Sequence, residues 1–188
     1  MKRSLFLSLA CVVSFTVGVP GASGKQKSGK PAPVLYHATL YSPFLNSPWP
    51  LEIVVEEVSS DEELKELAQA YATGGERALT KAMDKLHKGY CDLGPNRMVA
   101  SIVQSKPDGA NRRVDVLAKF PSQSRIMQYF AELPDYPYIY IQIKLDEHGI
   151  GKGTLTPKTR VTFNPQGQVT LGTRASEPFQ LTLAQQVK

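Results

Sequence analysis

Tyr138-Ile139-Tyr140-Ile141-Gln142-Ile143-Lys144-Leu145 decides how this chain is read. Its odd positions are all aliphatic and its even positions are Tyr, Tyr, Gln and Lys. A strand sends successive side chains to opposite faces, so this run has one dry face and one wet face. The alternation continues downstream. Leu155, Val161 and Phe163 share one parity, and Lys152, Thr154, Thr156, Lys158, Arg160 and Thr162 hold the other. Asp146-Glu147-His148-Gly149 and Asn164-Pro165-Gln166-Gly167 can reverse the chain, which lets Val169 and Leu171, then Phe179, Leu181 and Leu183, add further strands. Gly151 and Gly153 supply the freedom of a bulge or strong twist, and Pro157, without an N–H, favours an edge or an irregularity. Tyr136 to Leu183 therefore reads as a meander of antiparallel strands.

Upstream, Leu51, Ile53 and Val55 alternate as a strand, and His37–Tyr41 starts another. Ser60-Asp61-Glu62-Glu63 fits a capping box, and Leu64, Leu67, Ala68 and Tyr71 follow at helical spacing up to Gly74-Gly75. Leu79, Ala82, Met83 and Leu86 mark a second amphipathic helix ended by Gly89, giving a helical hairpin. Met98–Val103 and Val114–Phe120 are strands joined by Pro107-Asp108-Gly109-Ala110-Asn111. Val99, Ala100, Ile102 and Val103 put apolar atoms on both faces, so the hairpin is expected to cover the second face. A third short helix is predicted over Ser124–Leu133. The fold class is α+β: an antiparallel meander sheet of about seven or eight strands with an inserted helical hairpin, able to curl into a partial barrel.

Residues 1–24 have the layout of a secretory signal peptide: Lys2 and Arg3, an apolar core from Leu5 to Val19, then Gly21, Ala22 and Ser23. Residues 25–33 form a basic leader with nothing to bury, expected to be disordered, and 34–188 is a single domain. The net charge of +5 resides in Lys2, Arg3, Lys25, Lys27 and Lys30, because the domain carries 17 basic and 17 acidic residues. A neutral body lacks the broad basic footprint of a nucleic-acid binder. Cys91 is the single cysteine left after signal removal, so no disulfide staples the domain, and it reads as a buried small apolar residue. The expected location is the periplasm or the exterior, with no transmembrane span after cleavage.

No catalytic set, cofactor motif or metal-ligand spacing is evident: His37, His87 and His148 are far apart, and Gly149-x-Gly151-x-Gly153 joins strand to strand with no helix to receive phosphate. His87 and Cys91 fall four apart with Gly89 between them, and a hydrolase would need them to converge with Asp115. Two groupings remain as candidate sites. Tyr129, Phe130, Tyr136, Tyr138 and Tyr140 crowd one segment and can line a ligand site or dock a partner. Arg112, Arg113, Lys158 and Arg160 form an anion patch if their strands are neighbours.

Asp135-Tyr136-Pro137-Tyr138, Gly149-Ile150-Gly151-Lys152-Gly153-Thr154-Leu155, Phe163-Asn164 and Pro178-Phe179-Gln180-Leu181 resemble the strand-turn pattern of a group of small exported bacterial proteins with no assigned activity. The resemblance spans about Leu51 to Val187 and implies export and a common fold, without naming an activity or cofactor. Two functions are expected from different classes. The first is an exported non-catalytic protein holding a small apolar ligand between helices and sheet. The alternative is a structural or interaction protein of the cell envelope that docks a partner through Tyr129–Tyr140, and a hydrolase stands third.

Overall fold

The computed structural model describes residues 32–41, 47–119, 137–164, 168–173 and 178–187, with the side chain of Leu183 outside that description. The expected signal peptide, most of the leader, the helix at Ser124–Leu133 and the aromatic residues Tyr129, Phe130 and Tyr136 lie outside it.

Nine strands among the described residues form one antiparallel sheet. β1 (Val34–Tyr41) pairs with β2 (Trp49–Val55), and pairing continues in sequence through β3 (Gly89–Leu93), β4 (Asn96–Asp108), β5 (Asn111–Lys119), β6 (Tyr138–Leu145) and β7 (Ile150–Phe163). The opposite edge of β7 is shared. Its first half pairs with β9 (Phe179–Val187), which returns to β1, and residues from Thr159 to Phe163 pair with β8 (Val169–Thr173). Eight strands therefore close a barrel, and β8 extends the sheet beside it. The meander expected over Tyr136–Leu183 breaks at its last strand: β6, β7 and β8 pair in chain order, but β9 leaves β8 to seal β7 to β1, so the barrel is closed and not partial. Closure removes two sheet edges that would otherwise leave unpaired backbone groups.

Gly151 and Gly153 make that closure possible. A Cβ added at Gly151 would fall 1.8 Å from the carbonyl oxygen of Lys144, and one at Gly153 would fall 2.1 Å from that of Gln142. The β7–β9 register shifts between the same two glycines, the mark of a bulge where the wall bends sharply. A second irregularity follows at Pro157-Lys158, where Lys158 takes φ 50 and the β6–β7 register shifts between Tyr138 and Tyr140. There β7 leaves the barrel wall for its hairpin with β8.

Side chains fill the interior. Leu40, Ile53, Cys91, Met98, Ile139, Ile141, Ile143 and Leu145 are all 0% exposed, as expected for an eight-stranded barrel whose core is packed by its own residues. On β4 the parity changes at a register shift between Ala100 and Ile102. Met98, Ala100 and Val103 consequently pack inside, and Ile102 faces out. This is the physical origin of the two-sided apolar run.

A helical element, α1 (Asp61–Met83), lies against the outer wall. Its start is the expected capping box, with the Glu63 amide donating to Ser60 Oγ (3.2 Å) and the Ser60 amide donating to Glu63 Oε2 (2.8 Å). As expected, two helical segments meet at Gly74 and Gly75, whose backbone is non-helical, the latter at φ 61. The second ends at Met83, and Gly89 opens β3 instead of terminating a helix. Leu67, Leu79 and Met83 are buried against Ile102 and Leu117 of the barrel wall, Tyr138 of β6, and Val161 and Phe163 of the β7 extension. Each such side chain contributes about 1.5–3 kcal/mol. No helix among the described residues is long and apolar enough to cross a membrane.

Candidate ligand cleft

The second apolar cluster leaves an opening of about 530 Å³ between the first turns of α1, the outer face of β4 to β6, and β8. Strand pairing lays its floor out in rows. Lys106, Arg113, Lys144 and Lys152 stand directly opposite one another across β4 to β7. Two residues further along each ladder come Gln104, Asp115, Gln142 and Thr154, followed by Leu117, Tyr140 and Thr156, with Ile102 opposite Leu117. Successive rows are about 7 Å apart, from the rise of two residues along a strand. Lys106 and Arg113 line the cleft on the barrel side and Asp61 and Lys65 on α1, while Leu64 of α1, Ile102, Leu117, Val169 and Leu171 make its apolar walls.

Asp115 is the polar centre, only 8% exposed in a strand otherwise rich in valine and leucine. Its Oδ1 accepts from the Tyr140 hydroxyl at 2.6 Å and from Gln142 Nε2 at 3.1 Å. Its Oδ2 accepts from Arg113 Nε at 2.9 Å. The carboxylate is therefore fully engaged, as a charge so deeply placed must be. Burial pushes the Tyr140 hydroxyl well above the usual phenol range, and the bond to the Asp115 carboxylate holds it there. The phenol stays a hydrogen-bond donor throughout the neutral range.

The predicted residues separate between two clefts. Tyr140 and Arg113 line the one described here. Tyr138, 3% exposed, and Arg160 line a second of about 340 Å³, with Glu76, Leu79, Thr80 and Lys119. Arg112 and Arg113 are not brought together, since they are neighbours on a strand and face opposite ways. Arg112 takes the inward parity and donates to Gln186 Oε1 of β9. Lys158 sits at the β7 bend, and Arg160 pairs with Glu76 of α1. Cys91 is enclosed in the barrel, Asp115 is outside it, and His87 is half exposed beside Glu56, so the three do not converge. Among the described residues no group of three His, Cys, Asp or Glu side chains could hold a metal ion. Asp115 and Gln142, which anchor the polar centre, carried no sequence motif. The only sign was a carboxylate within Val114-Asp115-Val116-Leu117.

Comparison with known proteins gives no relative to lean on: no family model matches the sequence, and neither a curated protein nor a solved structure matches it.

Proposed function

We propose that this is an exported, non-catalytic binding protein that holds a small, largely apolar molecule in the cleft between α1 and the outer face of the barrel. The observation that carries the reading is the contrast between two apolar clusters. The barrel interior is filled by its own side chains, whereas the cluster beneath α1 stays open over about 530 Å³. That volume lies in the range of small-molecule sites, and its lining is divided between apolar and polar side chains. The engaged state of Asp115 supports a binding role over an acid–base one, because both its oxygens already accept hydrogen bonds, from Arg113 on one side and from Tyr140 and Gln142 on the other. The amino-terminal layout of residues 1–24 supports export.

The test is native mass spectrometry of the protein purified from its own cell envelope, repeated after denaturation, on the natural chain and on Leu171→Glu. Leu171 is a half-buried wall residue on β8, outside the closed barrel. A reproducible small mass that is lost on denaturation and absent from a folded Leu171→Glu variant is expected. A bare chain in both proteins would refute the reading and move the search to protein partners.

A further inference from the structure

We infer that the cleft takes an anionic amphiphile with a single apolar tail and a polar linker, lying along β4 to β6 with its charge on Lys106 and Arg113 and its tail beneath α1. The inference rests on the proposed binding role and specifies its ligand class. It is carried by the order of the rows. Four cations in register on adjacent strands are an unfavourable arrangement, since like charges directly opposite destabilise a sheet. Two of them have carboxylate partners: Arg113 with Asp115, and Lys144 with Asp108. Lys106 reaches only the Gln104 amide oxygen, at 3.2 Å, and among the described residues no carboxylate reaches Lys106 or Lys152. Arg113 engages Asp115 through Nε, which leaves the terminal nitrogens of its guanidinium for a second anion. An anionic headgroup at this end would relieve the row.

The next row supplies the Gln104 amide, and the Tyr140 hydroxyl reaches toward it from the row beyond to meet Asp115, polar groups that suit an ester or amide linker better than a methylene chain. Beyond it Ile102 and Leu117, roofed by Leu64 and flanked by Val169 and Leu171, offer apolar contact, with Asp61 and Lys65 on either side of Leu64 along α1. From the cation row to the apolar row is four residues of strand, about 14 Å, enough to separate a headgroup from the tail. Asp115 and Arg113 offset each other, so on the barrel side of the cleft the uncompensated charge is that of Lys106, with the terminal N–H groups of Arg113 as additional donors.

The experiment is displacement of the uncharged fluorophore N-phenyl-1-naphthylamine from the purified protein by three twelve-carbon amphiphiles below their micelle concentrations. These are N-dodecanoylglycine (anion), 1-dodecanoylglycerol (neutral) and dodecyltrimethylammonium (cation). The anion is expected to displace at about tenfold lower concentration than the neutral compound, a preference that shrinks as salt is raised. Lys106 is exposed, so Lys106→Glu should fold normally and bring the two to near equality. A parallel titration with a single-chain phosphatidylglycerol distinguishes a phosphate headgroup from a carboxylate one. Equal displacement by all three amphiphiles, or preference for the cation, would overturn the inference while leaving the binding role intact. Failure of the fluorophore itself to bind would overturn the binding role.

Discussion

Lys88→Met removes a buried cation, the only one among the described residues, that ties α1 to the barrel. The Lys88 side chain is 3% exposed and its Nζ donates to Glu57 Oε1 at 3.0 Å and to Glu63 Oε1 at 2.5 Å. Glu63 also completes the capping box, so the lysine grips the same residue that starts the helix. Breaking a fully buried pair by deleting one partner costs about 3–5 kcal/mol. Here the carboxylates keep 26% and 50% of their exposure and stay partly hydrated, and methionine retains the apolar stem. A loss of about 2 kcal/mol is therefore expected, equivalent to a fall of about 4–8 °C in Tm for a domain of this size. Urea unfolding of Lys88→Met, Glu63→Gln and the double variant measures it, and the pair should couple. The pH dependence has a definite sign. Despite burial, the bonds from Lys88 and Ser60 hold the Glu63 carboxyl below its ordinary value. Its contribution is present above the ordinary carboxylate range and lost as pH falls through the lowered value. Despite burial, the bonds from Glu63 and Glu57 hold the Lys88 ammonium above its ordinary value, so its contribution is lost only as pH rises through that raised value. A loss under about 0.5 kcal/mol with additive single variants would refute the latch.

Two further outcomes bear on the barrel. Gly153→Ala would drive a methyl onto the Gln142 carbonyl, a backbone atom that cannot step aside, so β7 must move from β6; a loss of about 3 kcal/mol in thermal or urea unfolding is expected, and a neutral result would contradict the close approach. Cys91 is fully enclosed, and burial pushes its thiol up, so a thiol reagent such as dithionitrobenzoate should label it only as fast as the protein unfolds. Rapid labelling of the native protein would place it outside the packed interior.

What could be read in the sequence was whatever depends on neighbours along the chain. The alternation Ile139, Ile141, Ile143, Leu145 specified β6 and its inner face, and Ser60 with Glu63 specified the start of α1. β3 was missed because Gly89–Leu93 is five residues long, too short to establish a period between the helix and the Gly94-Pro95 turn. Barrel closure was not legible because it depends on β1 meeting β9 at the far end of the chain, a pairing no local pattern encodes. Half of the anion-patch expectation was decidable in advance: on a strand, Arg112 and Arg113 must face opposite ways. The cleft itself arises where Asp115 interrupts an apolar run and the register shift between Ala100 and Ile102 turns β4 outward, two features that become a site only once α1 and β8 stand over them.

On the proposed reading, ligand enters beneath α1 and not the barrel. Methyl NMR of the protein titrated with N-phenyl-1-naphthylamine tests it directly. Chemical-shift changes are expected at the methyls of Leu64, Leu117, Val169 and Leu171, with those of Leu51, Leu155 and Leu181 inside the barrel unmoved. Changes centred on Leu51, Leu155 and Leu181, or none at any of these methyls under saturating probe, would contradict it.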